Sequence, residues 1–273
     1  RQHRIEMKKV VLLSCFNLVL VSLQAQDETK SVQLGVRVGV GFASLEEKRF
    51  SSQVQQGILP TYSMDIETYK NKVRQNLSIN FSLTQDYTNQ PSLSYVLVFP
   101  EVRYTYMKSL SDNWYIGGMF HSFTLLNFPE SELTKFVNNS ISYTLAQSIG
   151  PSLFYQKTAL NQKISFESEC QLGLLSYVVR PAFAHPYPEN YLQPDVFSPD
   201  RSGMMRSLFK GGKLWTLNKI QNIHLNTSTS YNLPNWKFSA NLAFSTLRLA
   251  DVKPFSLSQL YFGVGIKYKY KKT

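Results

Sequence analysis

Apolar and polar residues alternate one by one along most of this chain. From Val32 to Phe42 every even position is apolar, whereas the odd positions hold Gln, Gly and Arg. The same period of two returns from 74 to 88 and, in its longest run, from 139 to 157. Because successive side chains of a β-strand point to opposite faces, this period predicts strands with one apolar and one polar face.

Ten such segments can be recognised. Each runs about thirteen to nineteen residues, whereas strands of soluble proteins usually run about five or six. A barrel strand that crosses a bilayer needs about nine to eleven residues in the hydrocarbon, so the lengths favour a transmembrane barrel. A secreted β-sandwich or lipocalin-like barrel is the alternative. The predicted segments are about 32–43, 56–70, 74–88, 92–108, 113–126, 139–157, 163–179, 220–233, 236–248 and 256–270.

The links between the segments alternate in length. Short polar links lie at 69–74, 108–113, 157–162 and 232–235, and longer ones at about 45–55, 127–138, 180–219 and 249–255, with one tight link at 89–91. In bacterial outer-membrane barrels the short turns face the periplasm and the long loops face outside. The fold prediction is therefore all-β: a single antiparallel transmembrane β-barrel of about ten strands with one long extracellular loop.

The alternation also predicts which side chains face lipid. Tyr and Trp favour the headgroup level of a bilayer, so aromatic residues beside the short links predict an interfacial girdle on the periplasmic side. The predicted girdle consists of Tyr106, Trp114, Tyr155, Tyr231, Trp236, Tyr268 and Tyr270. We expect Ile79, Phe81, Tyr143, Leu145, Leu242 and Phe244 to face lipid, and Asn80, Ser142, Ser148 and Asn241 to face inward.

The N-terminal segment has the pattern of an export signal. Met7 is followed by two lysines, by an apolar run that ends at Leu23, and by Ala25 as a small cleavage-site residue. Acylation at Cys15 is the alternative. We therefore expect residues 1–6 to be upstream sequence without a structural role, residues 7–25 to be a cleaved signal peptide, and residues 26–273 to form the barrel.

The same features resemble a known group. The lysine-led signal, the Ala25-Gln26 site and the closing segment from Leu260 to Tyr270 are similar to those of small outer-membrane β-barrels of Bacteroidota-type bacteria. The resemblance is one of general sequence pattern, and it extends over the whole chain. It implies that the protein resides in the outer membrane of a Gram-negative bacterium.

Composition narrows the classes of protein. The chain is 43% hydrophobic and 14% aromatic, which disfavours disorder, and it has no apolar run long enough for a spanning helix. Its net charge is +11, or about +8 after loss of four basic and one acidic residue with the signal. For an exported protein this charge favours lipopolysaccharide or surface glycan over nucleic acid as a partner. Cys170 alone remains after cleavage, so no internal disulfide is expected.

The predicted inward face carries charges of both signs. A mixed set of this kind can neutralise itself as a polar core, or it can form a constriction that selects ions or small polar solutes. Ten strands imply a narrow or plugged lumen in either case. The predicted lumen-lining charges are Arg37, Asp65, Glu67, Glu101, Arg103, Glu167, Glu169, Lys237 and Lys267, with Lys163 and Lys269 on the same phase.

Candidate catalytic chemistry is sparse. His121 and Ser122 are adjacent in a strand, so their side chains point to opposite faces and cannot form a catalytic pair. Glu167 and Glu169 share a face, but Lys163 nearby predicts ion pairing instead. His185 and His224 have no matching partners, and Cys170 has no metal-ligand spacing. We therefore expect no enzyme activity, no cofactor and no metal site. Gly35, Gly39 and Gly41 are interpreted as relieving crowding in a tight barrel.

The link from 180 to 219 is rich in proline and aromatic residues. Proline restricts the backbone and aromatic rings favour burial, so we expect this link to cover the barrel mouth or to contact a partner. Its basic residues Arg201, Arg206, Lys210 and Lys213 are candidates for binding phosphate-bearing glycolipid. The expected function is a narrow or plugged channel for ions or small polar solutes. The alternative is a nonconducting structural or binding subunit of an envelope complex or a glycolipid-binding surface protein, and an outer-membrane hydrolase is the least favoured.

Overall fold

The computed structural model describes residues 31–47, 54–85, 95–129, 142–180, 212–250 and 254–271. The predicted upstream segment 1–6 and signal peptide 7–25 lie outside these residues, as does 181–211 of the long link. Within the described ranges we number twelve strand segments. They are β1 (Ser31–Glu47), β2 (Val54–Lys70), β3 (Val73–Gln85), β4 (Tyr95–Ser109), β5 (Trp114–Pro129), β6 (Ser142–Ala159), β7 (Ile164–Gly173), β8 (Leu175–Val179), β9 (Lys213–Thr216), β10 (Ile220–Asn232), β11 (Trp236–Leu249) and β12 (Phe255–Lys271). The described residues contain no helix long and apolar enough to cross a bilayer.

The strands form one closed antiparallel barrel. Sequential neighbours pair from β1 to β6, and the wall closes where β1 pairs with β12. Two crossings consist of two segments each: β7 and β8 both pair with β6, and β10 and β9 pair with β7 and β8 in turn. The twelve segments therefore make ten crossings, and the predicted ten-strand barrel is confirmed. One part of the predicted long link is wrong, because residues 213–216 form strand β9.

One end of the barrel carries the four described turns that join consecutive crossings, and we call it the periplasmic end. The β2–β3 turn has Asn71 and Lys72 in the left-handed region, with φ of 47° and 62°. A two-residue turn of this kind matches the twist of the strands that it joins. The chain also enters and leaves the barrel here, since Ser31 pairs with Lys271.

Most of the predicted facing is confirmed. Ile79, Phe81, Leu242 and Phe244 are exposed on the outside of the wall, and Ser148 and Asn241 are buried within it. Leu145 is an exception. It lies on the outward phase of β6, but it is only 9% exposed, and Val179 opposite it is 1% exposed. The side chains of residues 142 and 143 lie outside the described part of the structure.

The aromatic girdle is confirmed at the periplasmic end. Six of its predicted members are exposed on the outside, and Tyr155 is half-buried. Neighbouring strands bring these rings into contact in pairs, with centroids 4.7 Å apart for Trp114 and Tyr155 and 4.9 Å apart for Trp236 and Tyr268. The girdle therefore marks one boundary of the lipid-facing surface.

The polarity of the wall reverses toward the other end of the barrel. On β1 the outward residues are apolar from Leu34 to Phe42, about the length that a membrane crossing needs. Beyond Phe42 the outward residues are Ser44 and Glu46, and the inward residues are Ala43 and Leu45. At its outer end β1 thus has a polar exterior and an apolar interior.

Other strands show the same reversal, and their inward apolar residues form a second core. On β5, for example, Ser122 and Thr124 face outward while Phe123 and Leu125 are buried inside. We call this core the outer apolar layer. Its members are Ala43, Leu45, Leu59, Leu97, Phe99, Phe123, Leu125, Ala146, Val178, Trp215, Ile220, Leu247, Leu249, Phe255 and Leu257. The sequence reasoning did not identify it.

Candidate functional site

The lumen below the outer apolar layer contains an ion-pair network. Arg74 joins two of its carboxylates, because its Nε donates to Glu67 Oε1 at 2.6 Å and its NH1 donates to Glu169 Oε2 at 3.3 Å. The same guanidinium lies 3.7 Å from the centroid of the Phe154 ring. All four side chains are buried. A guanidinium suits this position, since it presents several donors in one plane and also stacks on an aromatic face.

Other cations complete the periplasmic half of the network. Lys267 Nζ donates to Glu67 Oε2 at 2.9 Å, and Lys237 forms an ion pair with Glu167. On the β1 side of the lumen, Arg37 donates to Asp65 Oδ1 at 2.7 Å. Each of these pairs joins two different strands, so the network ties the wall together across the lumen.

A second cluster lies closer to the outer apolar layer. Glu101 contacts Arg103, and its Oε1 lies 2.6 Å from His121 Nε2; Arg103 also contacts His224 Nε2. A guanidinium has only donors, so His224 Nε2 must accept and its ring proton is assigned to Nδ1. Asn222 joins the cluster by donating to His121 Nδ1 at 2.9 Å. His121 is therefore assigned the opposite tautomer, with its proton on Nε2.

The charges of this network balance. Five cations face five carboxylates, so these charges cancel. The cations are Arg37, Arg74, Arg103, Lys237 and Lys267, and the carboxylates are Asp65, Glu67, Glu101, Glu167 and Glu169. Buried charges that are paired in this way serve as a polar core.

Glycines in β1 and β12 make room for the large lumen side chains. A Cβ at Gly39 would lie 2.5 Å from the Tyr261 ring, and a Cβ at Gly263 would lie 2.2 Å from its hydroxyl. A Cβ at Gly265 would meet Arg37 Cγ at 2.4 Å. These glycines therefore relieve crowding, in agreement with the sequence interpretation of Gly35, Gly39 and Gly41.

Two small cavities remain between the lumen side chains. Their volumes are about 70 Å³ and about 40 Å³, and Arg37, Asn76, Glu169 and Asn226 line both. The larger cavity also touches Phe99 of the outer apolar layer. Cavities of this size accommodate a few water molecules between polar partners.

All nine predicted lumen charges lie inside the barrel, but their pairing differs from the expectation. Lys163 is exposed in the β6–β7 turn, so its predicted pairing with the two glutamates of β7 is wrong. Lys237 pairs with Glu167 instead, and Arg74 pairs with Glu169. Sequence reasoning missed Arg74 because it was assigned to the link 69–74. Arg74 alternates in step with Asn76 and Ser78 on β3, and this pattern could have shown that it faces the lumen.

The remaining candidates are distributed over several surfaces. His121 is buried inside while Ser122 lies on the outward phase, so the two do not meet. Cys170 is exposed on the outer face, as predicted. Lys213 is exposed at the start of β9. Arg201, Arg206, Lys210 and His185 lie outside the described residues. Within the described ranges, no three His, Cys, Asp or Glu side chains are grouped so that they could hold a metal ion.

The closed antiparallel wall, the apolar outward belt and the aromatic girdle define the chain as an outer-membrane β-barrel protein. No protein-family model matches the chain, and no curated protein matches it in sequence.

Several solved barrels are similar at low sequence identity. The translocator domain of autotransporter NalP from Neisseria meningitidis is 8% identical, with a TM-score of 0.44 and coverage of 96% of each chain. The outer membrane protease OmpT from Escherichia coli is 10% identical, with a TM-score of 0.40 over 90% of this chain and 99% of that one. Neisserial surface protein A is 12% identical, with a TM-score of 0.32 over 89% of this chain and 100% of that one.

Proposed function

We propose that this barrel is closed and nonconducting, and that it acts by binding at its outer end. The observation that supports this proposal is the outer apolar layer, which fills the lumen directly above the Glu101 and Arg103 cluster. An ion that leaves water for an apolar layer loses its hydration at a cost far above thermal energy. The layer is therefore a barrier to the solutes that a polar lumen would otherwise admit.

The ion-pair network supports the same proposal. Selective pores use rings of like charge that attract one kind of solute. Here each carboxylate of the network already has a cation at contact distance, as in the pairs of Glu67 with Arg74 and of Asp65 with Arg37. Such pairs stabilise the wall and leave little electrostatic field that could attract an ion into the lumen.

The outer end is the favoured binding surface. Arg248 is exposed on the outward face of β11, and Lys213 is exposed at the start of β9, on the same phase as Trp215. The proposed partner is anionic, either lipopolysaccharide or another envelope protein, and nucleic acid is not proposed. The Bacteroidota type remains a proposal that rests on the signal and closing-strand features.

A narrow channel is the second candidate, and the two small polar cavities favour it. A hydrolase is the least favoured candidate, because His121 and Ser122 face opposite sides of the wall. His121 instead contacts Glu101 and Asn222.

Planar-bilayer recording of the purified protein separates the two candidates. We expect the wild type to show no stepwise conductance. Phe99 and Phe123 are neighbours in the outer apolar layer, with ring centroids 6.2 Å apart, so the double variant Phe99→Ser and Phe123→Ser should create a small conductance. The control is Phe120→Ser, which changes a lipid-facing ring on the same strand and should stay silent. Wild-type conductance steps that change in Glu101→Gln would overturn the proposal and establish the channel.

A further inference from the structure

The lipid-facing surface contains a groove in its periplasmic half. The groove has a volume of about 720 Å³ and crosses β10, β11, β12 and β1. Ala240 and Thr229 are paired across β10 and β11 and are its smallest outward side chains. The adjacent row holds Phe238 and Tyr231, which also line the groove. The two small residues therefore leave a depression in an otherwise bulky apolar surface.

The groove ends at the periplasmic boundary of the membrane. Tyr231 belongs to the aromatic girdle, and Ile164 opposite it also lines the groove. The next residue is Lys163, whose carbonyl accepts from the Asn232 backbone N–H at 2.7 Å. Lys163 is exposed. Its ammonium is thus attached to the turn directly below the groove.

Lys163 belongs to a basic rim. Lys72, Lys108 and Lys157 are also exposed at the periplasmic end, and Asp112 is the exposed acid among the described turn residues there. Clusters of lysines at a membrane surface attract anionic lipid headgroups. The rim therefore adds charge complementarity to the shape of the groove.

We propose that the groove and Lys163 together bind one anionic phospholipid of the inner leaflet. An acyl chain fills the depression over Ala240 and Thr229, and the lipid phosphate contacts the Lys163 ammonium. Apolarity alone does not select this position, because lipid tails surround the whole barrel. The depression selects this position, because an acyl chain that fills it gains dispersion contacts along its lining that an unfilled gap would forfeit.

Two variants test the two halves of the site. Ala240→Leu fills the groove, and Lys163→Gln removes the cation. Gly118→Leu and Lys108→Gln are the matched controls on and beside β5, distant from the groove. Gly118 faces open space, since a Cβ there would meet only the Gly150 carbonyl at 3.7 Å. Thr229→Leu is a second groove-filling variant for use if Ala240→Leu does not fold.

Native mass spectrometry of the folded protein in detergent, titrated with phosphatidylglycerol or with phosphatidylcholine of identical chains, provides the readout. The wild type should prefer phosphatidylglycerol. Lys163→Gln should lower phosphatidylglycerol affinity roughly fivefold and leave phosphatidylcholine unchanged. Ala240→Leu should weaken both lipids, and both controls should behave as wild type.

Three outcomes would overturn the proposal. Equal affinity for the two lipids would show that no anionic headgroup is recognised. Equal losses in the Lys163 and Lys108 variants, or in the Ala240 and Gly118 variants, would show a diffuse surface effect rather than a site. Displacement of phosphatidylglycerol by inorganic phosphate would show that the rim binds free anions and that the groove has no part in binding.

Discussion

Arg74 and Glu67 form a buried ion pair inside the barrel, with 2.6 Å between Nε and Oε1 and no exposed surface on Glu67. The two residues lie on adjacent strands, and the guanidinium also reaches Glu169 on β7, near the opposite side of the lumen. Because a carboxylate without a partner is costly in such a place, Arg74 stabilises the charge of Glu169 and, together with Lys267, that of Glu67.

Replacing Arg74 is therefore expected to destabilise the barrel strongly. Arg74→Met should cost about 3 to 5 kcal/mol, because Glu169 loses its cation partner and Glu67 keeps only Lys267. The measurement is the free energy of reversible urea unfolding in lipid vesicles. Lys72→Met, in the adjacent turn, should change it by less than about 0.5 kcal/mol. Adding Glu67→Gln and Glu169→Gln to Arg74→Met should restore part of the loss, and no restoration would contradict the charge argument.

The polarity reversal predicts where an introduced charge is tolerated. Tyr62 and Gln56 are both exposed and share the outward face of β2, but Tyr62 pairs with Val38 in the middle of the apolar belt. Tyr62→Arg should cost about 2 to 4 kcal/mol and Gln56→Arg about 0 to 1 kcal/mol in the same unfolding measurement. Similar costs at the two positions would mean that the lipid boundary does not lie between them.

The outer apolar layer should behave as a protein core. Phe255 is 1% exposed within it, so Phe255→Ala should cost about 3 to 5 kcal/mol. Phe262 lies on the same strand but faces lipid. Its replacement by Ala should cost much less, because lipid tails can occupy the vacated space. Unfolding free energies of the two variants in vesicles provide the comparison, and equal losses would count against a packed layer.

Gly263 should not tolerate a side chain. A Cβ there would lie 2.2 Å from the Tyr261 hydroxyl and 3.0 Å from the Val38 carbonyl oxygen. Gly263→Ala should therefore cost about 1 to 3 kcal/mol through overpacking. Gly118→Ala is the control, since its Cβ enters open space. The double variant Gly263→Ala and Tyr261→Ala should be more stable than Tyr261→Ala alone, as measured by the same unfolding assay.

The sequence alone determined the number of crossings, most of the lipid-facing set and the side of the wall on which nine charges lie. It could do so because the pleat of a strand is local: once the period is known, each residue is assigned to one face by its position. The girdle followed for the same reason, since its aromatic residues lie beside short links that the chain itself displays.

Only the tertiary structure decided which charges meet and where the lumen closes. Arg74 and Glu169 are 95 residues apart in the chain, and the strand registers that bring them to 3.3 Å depend on the closure of the whole barrel. The residues of the outer apolar layer occupy the same alternate, inward-facing positions as the polar residues of the lumen. The period of two therefore could not distinguish the two groups. Its members become a core because nine of the ten crossings bring them together inside the barrel, where strands that have left the lipid must bury apolar side chains against each other.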